Sequence, residues 1–166
     1  PPAEPTTAMG WEVDETGLYD MLTALDRAYP HLPLLVAENG AAYPDQLVAG
    51  EDGPTVKDPE RIAYLEGHLS AVEEALADGI DVRGYMVWTF MDNFEWADGY
   101  GPRFGIVYTD YETQARHPKA SYFWYRDFIA ARRAEAERAR AESHRSPPEV
   151  ATHPRRRGLL AWIRGR

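Results

Sequence analysis

Two short stretches of this chain carry residues that could do chemistry. In Leu34-Leu35-Val36-Ala37-Glu38-Asn39-Gly40 an apolar run delivers a carboxylate and then breaks at glycine, which is how a buried parallel strand presents an acid at its carboxyl end. Strict alternation puts Leu34, Val36 and Glu38 on one face and Leu35 and Ala37 on the other, so Glu38 would cap a row of core side chains and be partly desolvated. Such a carboxylate is paired with a cation, poised to react, or turned to solvent as an ordinary strand end. The motif alone does not choose. The second stretch, residues 88–105, mixes aromatic faces, carboxylates, an amide and glycines. That mixture suits a sugar, because rings cover C–H faces while Asp, Glu and Asn exchange hydrogen bonds with hydroxyls. Aromatic residues at loop roots also serve as core plugs; with Trp88 and Trp96 on either side of Glu95, the ligand reading is the stronger one.

The elements that must hold these stretches can be read around them. A helix with Leu18, Met21, Leu22 and Leu25 at helical spacing, capped by Asp14, Glu15 and Thr16 and closed by Pro30, precedes the Glu38 strand. Residues 41–57 read as a long loop, long enough to suggest a functional role. Asp58-Pro59-Glu60 opens the strongest helix, with Asp58 suited to the N-cap, an apolar stripe of Ile62, Leu65, Leu69, Val72 and Leu76, and Gly79 as its end. Residues 82–89 then read as a second strand. Strand, helix and strand of this size make a right-handed parallel crossover, which places Glu38 and the Trp88 stretch on the same rim of one sheet. Residues 104–108 and 114–117 could pair as a hairpin, and a last helix starts near Pro118-Lys119 with Tyr122, Trp124, Tyr125, Phe128 and Ile129. Two regions are expected: 1–130, which holds the α/β core, and 131–166, a solvated helical extension running into a disordered Arg-rich tail.

Composition bounds the function. With 166 residues, 44% hydrophobic, there is apolar material for one core. The net charge of −9 argues against non-specific nucleic-acid binding, which draws on Lys and Arg. No cysteine is present, so thiolate chemistry and disulfides are excluded. No apolar run reaches membrane-spanning length, and Arg155-Arg156-Arg157 with Leu159, Leu160, Trp162 and Ile163 reads as tail rather than as a membrane-surface helix. The opening residues show no signal peptide, and a cytoplasmic location is the expectation. Neither a metal nor a cofactor is expected. One problem remains: two parallel strands cannot satisfy the edges of a sheet buried on both faces, so the chain reads as the end of a larger α/β domain.

The motifs support a family resemblance. Glu38-Asn39-Gly40, the helix opening Asp58-Pro59-Glu60-Arg61-Ile62 and continuing through Tyr64-Leu65 and His68-Leu69, Gly84-Tyr85, Trp88, Asp92-Asn93-Phe94-Glu95-Trp96, Gly99-Tyr100 and Arg103-Phe104-Gly105 resemble glycoside hydrolase family 1, the β-glucosidase family. The likeness extends from Met9-Gly10-Trp11-Glu12-Val13 to Trp124-Tyr125. It implies the C-terminal part of a (β/α)8 barrel, about its last two to three β/α units, with Leu34, Val36 and Met86 facing the barrel, in an enzyme that hydrolyses terminal β-D-glucosyl residues with retention. By that resemblance Glu38 is the nucleophile, Glu95 and Trp96 bind sugar hydroxyls, Trp88 lies under the ring, and Phe104 is part of the pocket wall. The partner is a β-glucoside or oligosaccharide. Ala37 and Thr89 replace the family's usual Thr and Ser, and neither change touches a reacting group.

The family's acid/base lies in an Asn-Glu-Pro motif, which this sequence does not contain; Ala3-Glu4-Pro5 is the nearest string and sits in the lead-in. A retaining glycosidase needs that second carboxyl roughly 5 Å from the first, so the chain alone is expected to be inactive. A sugar-binding piece without chemistry, or a truncated product without function, stays open beside the enzymatic reading.

Overall fold

The computed structural model describes residues 5–145. The tail from Ser146, with Arg155, Arg156 and Arg157, lies outside the described residues. The elements run α1 (Glu15–Ala28), β1 (Leu34–Asn39), β2 (Leu47–Gly50), β3 (Gly53–Val56), α2 (Pro59–Ala77), β4 (Val82–Val87), β5 (Val107–Thr109), β6 (Arg116–Pro118) and α3 (Ala120–Arg145). Two compact units divide the chain, one ending at Ile129 and the other beginning at Ala130. The described part of the second unit is the exposed, charged remainder of α3.

β1 and β4 pair in parallel across the α2 crossover. α1 starts where Asp14 accepts a hydrogen bond from the Gly17 amide at 2.9 Å, the N-cap arrangement its sequence implied. Its Leu18 and Leu22 join Val36, Val72, Ala75, Ile80 and Val82 in a core on the helix side of the sheet. Leu65, Ile106 and Val107 form a second cluster, closed by Tyr85, Tyr122, Trp124 and Tyr125. Residues 5–13 fold back on themselves through a Thr6–Glu12 bridge and a 3.0 Å bond from the Val13 amide to the Pro5 carbonyl.

Three expectations need correction. The 41–57 segment is not a plain loop: β2 and β3 pair within it as an antiparallel hairpin. Its turn, Glu51-Asp52, is followed by Gly53 at φ +116°, a conformation that glycine alone reaches without cost. Alternation also fails in β1. Val36 pairs with Tyr85 and Asn39 with Val87, so β1 spends three residues where β4 spends two, and this bulge takes Glu38 out of the Leu34–Val36 row. Third, Leu34 and Val36 belong to the helix-side core rather than to a barrel interior. The side chains that stand open on the strands are Leu35 and Met86, each 54% exposed.

Met21 and Leu25 of α1 are exposed too, and with Leu35 they line an apolar recess of about 400 Å³ beside β1. Among the described residues β1 has one strand neighbour, so its other edge carries unpaired amides and carbonyls beside that recess. The 166-residue chain by itself is therefore expected to self-associate at micromolar concentration, visible by analytical ultracentrifugation. A monomer with one cooperative thermal transition would contradict this.

Candidate active site

The bulge between Val36 and Asn39 leaves Glu38 exposed at the carboxyl end of β1; the expectation of a partly desolvated carboxylate does not hold in this chain. The residue after it is gripped instead. Tyr85 Oη donates to Asn39 Oδ1 at 2.6 Å, and the Trp88 amide donates to the Asn39 carbonyl at 2.9 Å. Asn39 thus ties the end of β1 to β4 and to the Trp88 stretch by both side chain and main chain. Burial pushes the Tyr85 phenol far above its ordinary range, so at any working pH it donates as a neutral hydroxyl. Gly40 passes so close to the Trp88 carbonyl that a Cβ there would lie 1.6 Å from its oxygen.

After β4 the chain makes a cis Trp88–Thr89 peptide bond and returns along its own continuation. Ile106 donates to the Thr89 carbonyl, Val107 to Phe90 and Asp92 to Val107, at 2.9, 2.9 and 3.0 Å. Between these rails lies the loop with Glu95, closed by a 2.7 Å bond from the Glu95 amide to the Gly99 carbonyl and a 3-10 turn over Trp96–Asp98. Trp96 stands at φ +44° and is 85% exposed. A bulky residue held in the left-handed region without burial costs free energy, and such residues concentrate at functional sites.

Glu95 is half buried, and its Oε1 is fully buried with no hydrogen-bond partner among the described residues. An unsatisfied carboxylate oxygen costs about 1–3 kcal/mol unless something meets it, and a ligand hydroxyl is a fitting donor. Burial raises the Glu95 carboxyl above its usual range; the Trp88 side chain opposes this, and Asp92, Asp98 and Glu38 add to it. The influence of Glu38 on Glu95 places the two carboxylates in one electrostatic neighbourhood. Trp88 is half buried between them in sequence. Phe104 is 4% exposed, its ring 6.0 Å from that of Trp11; it sits in the packing, with Trp11 outermost. So Glu38 ends β1, while Trp88, Glu95 and Trp96 follow the end of β4, its parallel partner, and Phe104 is buried beside Trp11.

Sequence reasoning gave the buried charges beneath no role beyond a helix cap for Asp58. Asp58 occupies the N-cap position of α2 but makes no capping bond; its carboxylate takes Arg61, the Ser121 amide at 2.9 Å and Ser121 Oγ at 2.6 Å. Arg61 also meets Asp45 at 3.0 Å and the Arg103 carbonyl at 2.8 Å. Lys119 joins Asp45 to Asp92, the latter at 2.9 Å. Asp92 receives four donors in all: Lys119 and the Gly105 amide on Oδ1, and Arg103 at 2.8 Å with the Thr109 amide on Oδ2. Arg103 in turn lies 4.1 Å from the ring centre of Tyr108 and 4.7 Å from that of Tyr111. One signal was legible: Arg61 and His68 sit on the same face of α2 as Leu65, Leu69 and Val72, and a charge on an apolar stripe needs buried partners. Among the described residues no cluster of His, Asp and Glu could hold a metal ion.

The comparisons with known proteins agree with this architecture. Residues 1–134 match the family model described as Glycosyl hydrolase family 1. The chain belongs to that family, and its fold is a C-terminal portion of the family's (β/α)8 barrel. It is 53% identical over 131 residues to a bifunctional β-D-glucosidase/β-D-fucosidase of Bifidobacterium breve, covering 78% of this chain and 28% of that protein. A β-glucosidase structure from Exiguobacterium antarcticum B7 superposes with a TM-score of 0.75 at 40% identity, over 80% of this chain and 29% of the other. A Thermotoga maritima β-glucosidase in complex with cyclophellitol gives 0.72 at 44% identity, over 78% and 29%. The chain spans between a quarter and a third of the length of each of these proteins.

Because the Trp88 main chain, and not a flexible side chain, lies nearest Gly40, a Gly40→Ala change must push β1 away from the Trp88 peptide. It is expected to destabilise the full-length protein by at least about 1–3 kcal/mol, the range for overpacking, and to lower the midpoint of urea unfolding. An unchanged midpoint would mean that the two segments are free to part.

Proposed function

We propose that, completed by the rest of its barrel, this chain supplies the nucleophile and the sugar-binding wall of a retaining β-glycosidase acting on terminal, non-reducing β-D-glucosyl residues. The observation that carries this reading is the combination of an exposed Glu38 at the end of β1 with a Glu95 whose buried Oε1 has no hydrogen-bond partner among the described residues. In this scheme a Glu38 oxygen attacks the anomeric carbon as the bond to the leaving oxygen breaks. A carboxylic acid elsewhere in the barrel protonates that oxygen. Water, deprotonated by the same group, then attacks the glycosyl ester, freeing Glu38. Trp88 lies against the ring, and Glu95 and Trp96 take the hydroxyls, Glu95 filling its empty acceptor. Without Asn-Glu-Pro the chain alone has the attacking carboxylate but no established proton donor, so it is inactive alone.

The raised Glu95 carboxyl favours a second reading, in which Glu95 itself is the proton donor. Leaving groups separate the two. If Glu95 binds hydroxyls, Glu95→Gln in the full-length enzyme costs about 1.5–3 kcal/mol in kcat/KM, as for a hydrogen bond to a charged group, equally for alkyl and dinitrophenyl glucosides. If it is the acid, the dinitrophenyl glucoside is spared, since that aglycone leaves without a proton. The pH dependence differs in sign as well. Because the Glu95 pKa is raised, proton uptake begins above the ordinary glutamate range; a binder weakens as pH falls through it, whereas an acid fails as pH rises through it.

Glu38 has its own test. Glu38→Ala in the full-length enzyme should lower hydrolysis by several orders of magnitude, and added azide should restore turnover by attacking the vacated face. The product should be the glycosyl azide of inverted anomeric configuration, because one displacement replaces two. Near-normal turnover in Glu38→Ala, or rescue with retained configuration, would remove Glu38 from the nucleophile role.

A further inference from the structure

We infer that Lys119 is a positioning residue, a buried clamp that sets the spacing between the loop leaving Glu38 and the loop carrying Glu95; this rests on the reading of Glu38 and Glu95 given above. The Lys119 ammonium is wholly buried and meets two carboxylates, Asp45 and Asp92. Asp45 lies in the connection that leaves β1, seven residues after Glu38, and Asp92 lies three residues before Glu95. Lys119 is not the sole cation in contact with either carboxylate. Asp45 already has Arg61 at 3.0 Å and Asp92 has Arg103 at 2.8 Å.

What Lys119 adds is the link. Its own amide is fixed to the Ile106 carbonyl at 3.0 Å, so the stem of the clamp is anchored on main chain. Its head reaches two segments that belong to no helix or strand. Burial and the neighbouring Arg61 pull the ammonium below its usual range, while Asp92 and Asp45 oppose this. A sugar held at Glu95 and attacked at Glu38 spans both loops. Their separation then bears on the transition state, where the attacking oxygen must be in line, more than on the bound substrate.

The test is Lys119→Met in the full-length enzyme, with active sites counted by stoichiometric labelling with a 2-fluoro glucoside that traps the covalent ester. The expected result is a kcat per labelled site lower by roughly 10- to 100-fold, the scale of a small misplacement, with KM moved by less than about threefold. Lys119→Met leaves one buried carboxylate in excess. The double variant Lys119→Met/Asp45→Asn balances the charges again and carries the test where the single variant does not fold; it should regain thermal stability without regaining kcat per labelled site. A purely structural lysine would lower the number of labelled sites while each site kept its rate, and kcat per site within about twofold of wild type in either variant overturns the inference. A wild-type enzyme that is neither labelled at Glu38 nor hydrolytic would instead overturn the reading on which the clamp rests.

Discussion

Three anions and three cations share a largely buried space: Asp45, Asp58 and Asp92 against Arg61, Arg103 and Lys119. The balance is what makes the cluster tolerable, since an uncompensated charge at such a site costs about 3–5 kcal/mol. Asp58 and Asp92 also accept from main-chain amides, so lone pairs there are met as well as charges. Four segments that are far apart in sequence meet here: the connection after β1, the start of α2, the loop after β4 and the start of α3. None of the four is joined to the others by a continuous sheet. The charge cluster takes the place of ladder hydrogen bonds in fixing the carboxyl rim.

A second constraint acts a few ångströms away. The β1 bulge would leave the strand end loose if nothing replaced the pairings lost between Val36 and Asn39. Asn39 replaces them, with its side chain on Tyr85 and its carbonyl on the Trp88 amide. Tyr85 sits in turn beneath Tyr125, whose hydroxyl donates to the Tyr85 carbonyl at 3.3 Å. The aromatic cluster between α2, β4 and α3 therefore reaches the residue next to Glu38 in two steps. The bulge frees Glu38 from the helix-side core, and Asn39 keeps that freedom from spreading along the strand.

Much of this was legible in the sequence, and the misses share a cause. α1, α2, β1 and β4 are long apolar patterns bounded by clear start and stop residues, so local chemistry decides them. The site residues stand out because Glu38, Trp88 and Glu95 follow strands that end on one rim, which topology alone requires. Asp58 was read as a helix cap from its place before Pro59, a local argument; a tertiary demand from Arg61 and Ser121 took its carboxylate instead. The β2–β3 hairpin hid in a segment rich in glycine, proline and acids, where Leu47-Val48 and Thr55-Val56 are too short to show a period. Alternation in β1 pointed Glu38 to the wrong face because register is a property of the pair and not of the strand. Lys119 was read only as part of a helix start after Pro118; its carboxylate partners, 74 and 27 residues earlier in the chain, make it a core residue.

The two faces of the β1–β4 pair are built to different standards. On the helix side Leu18, Leu22, Val36, Val72 and Val82 close a packed core; on the other, Leu35 and Met86 stand open. A rim that depended on both faces for its rigidity would be loose here, because Leu35 and Met86 lack a packed layer over them. The rim does not depend on them. Arg61 in α2, Lys119 just before α3 and Arg103 in the loop after β4 hold it, all three within the first unit. Side chains on the open face can therefore meet new neighbours while the loops that bear Glu38 and Glu95 keep their spacing, since the charges that set that spacing lie outside the face that is left to be filled.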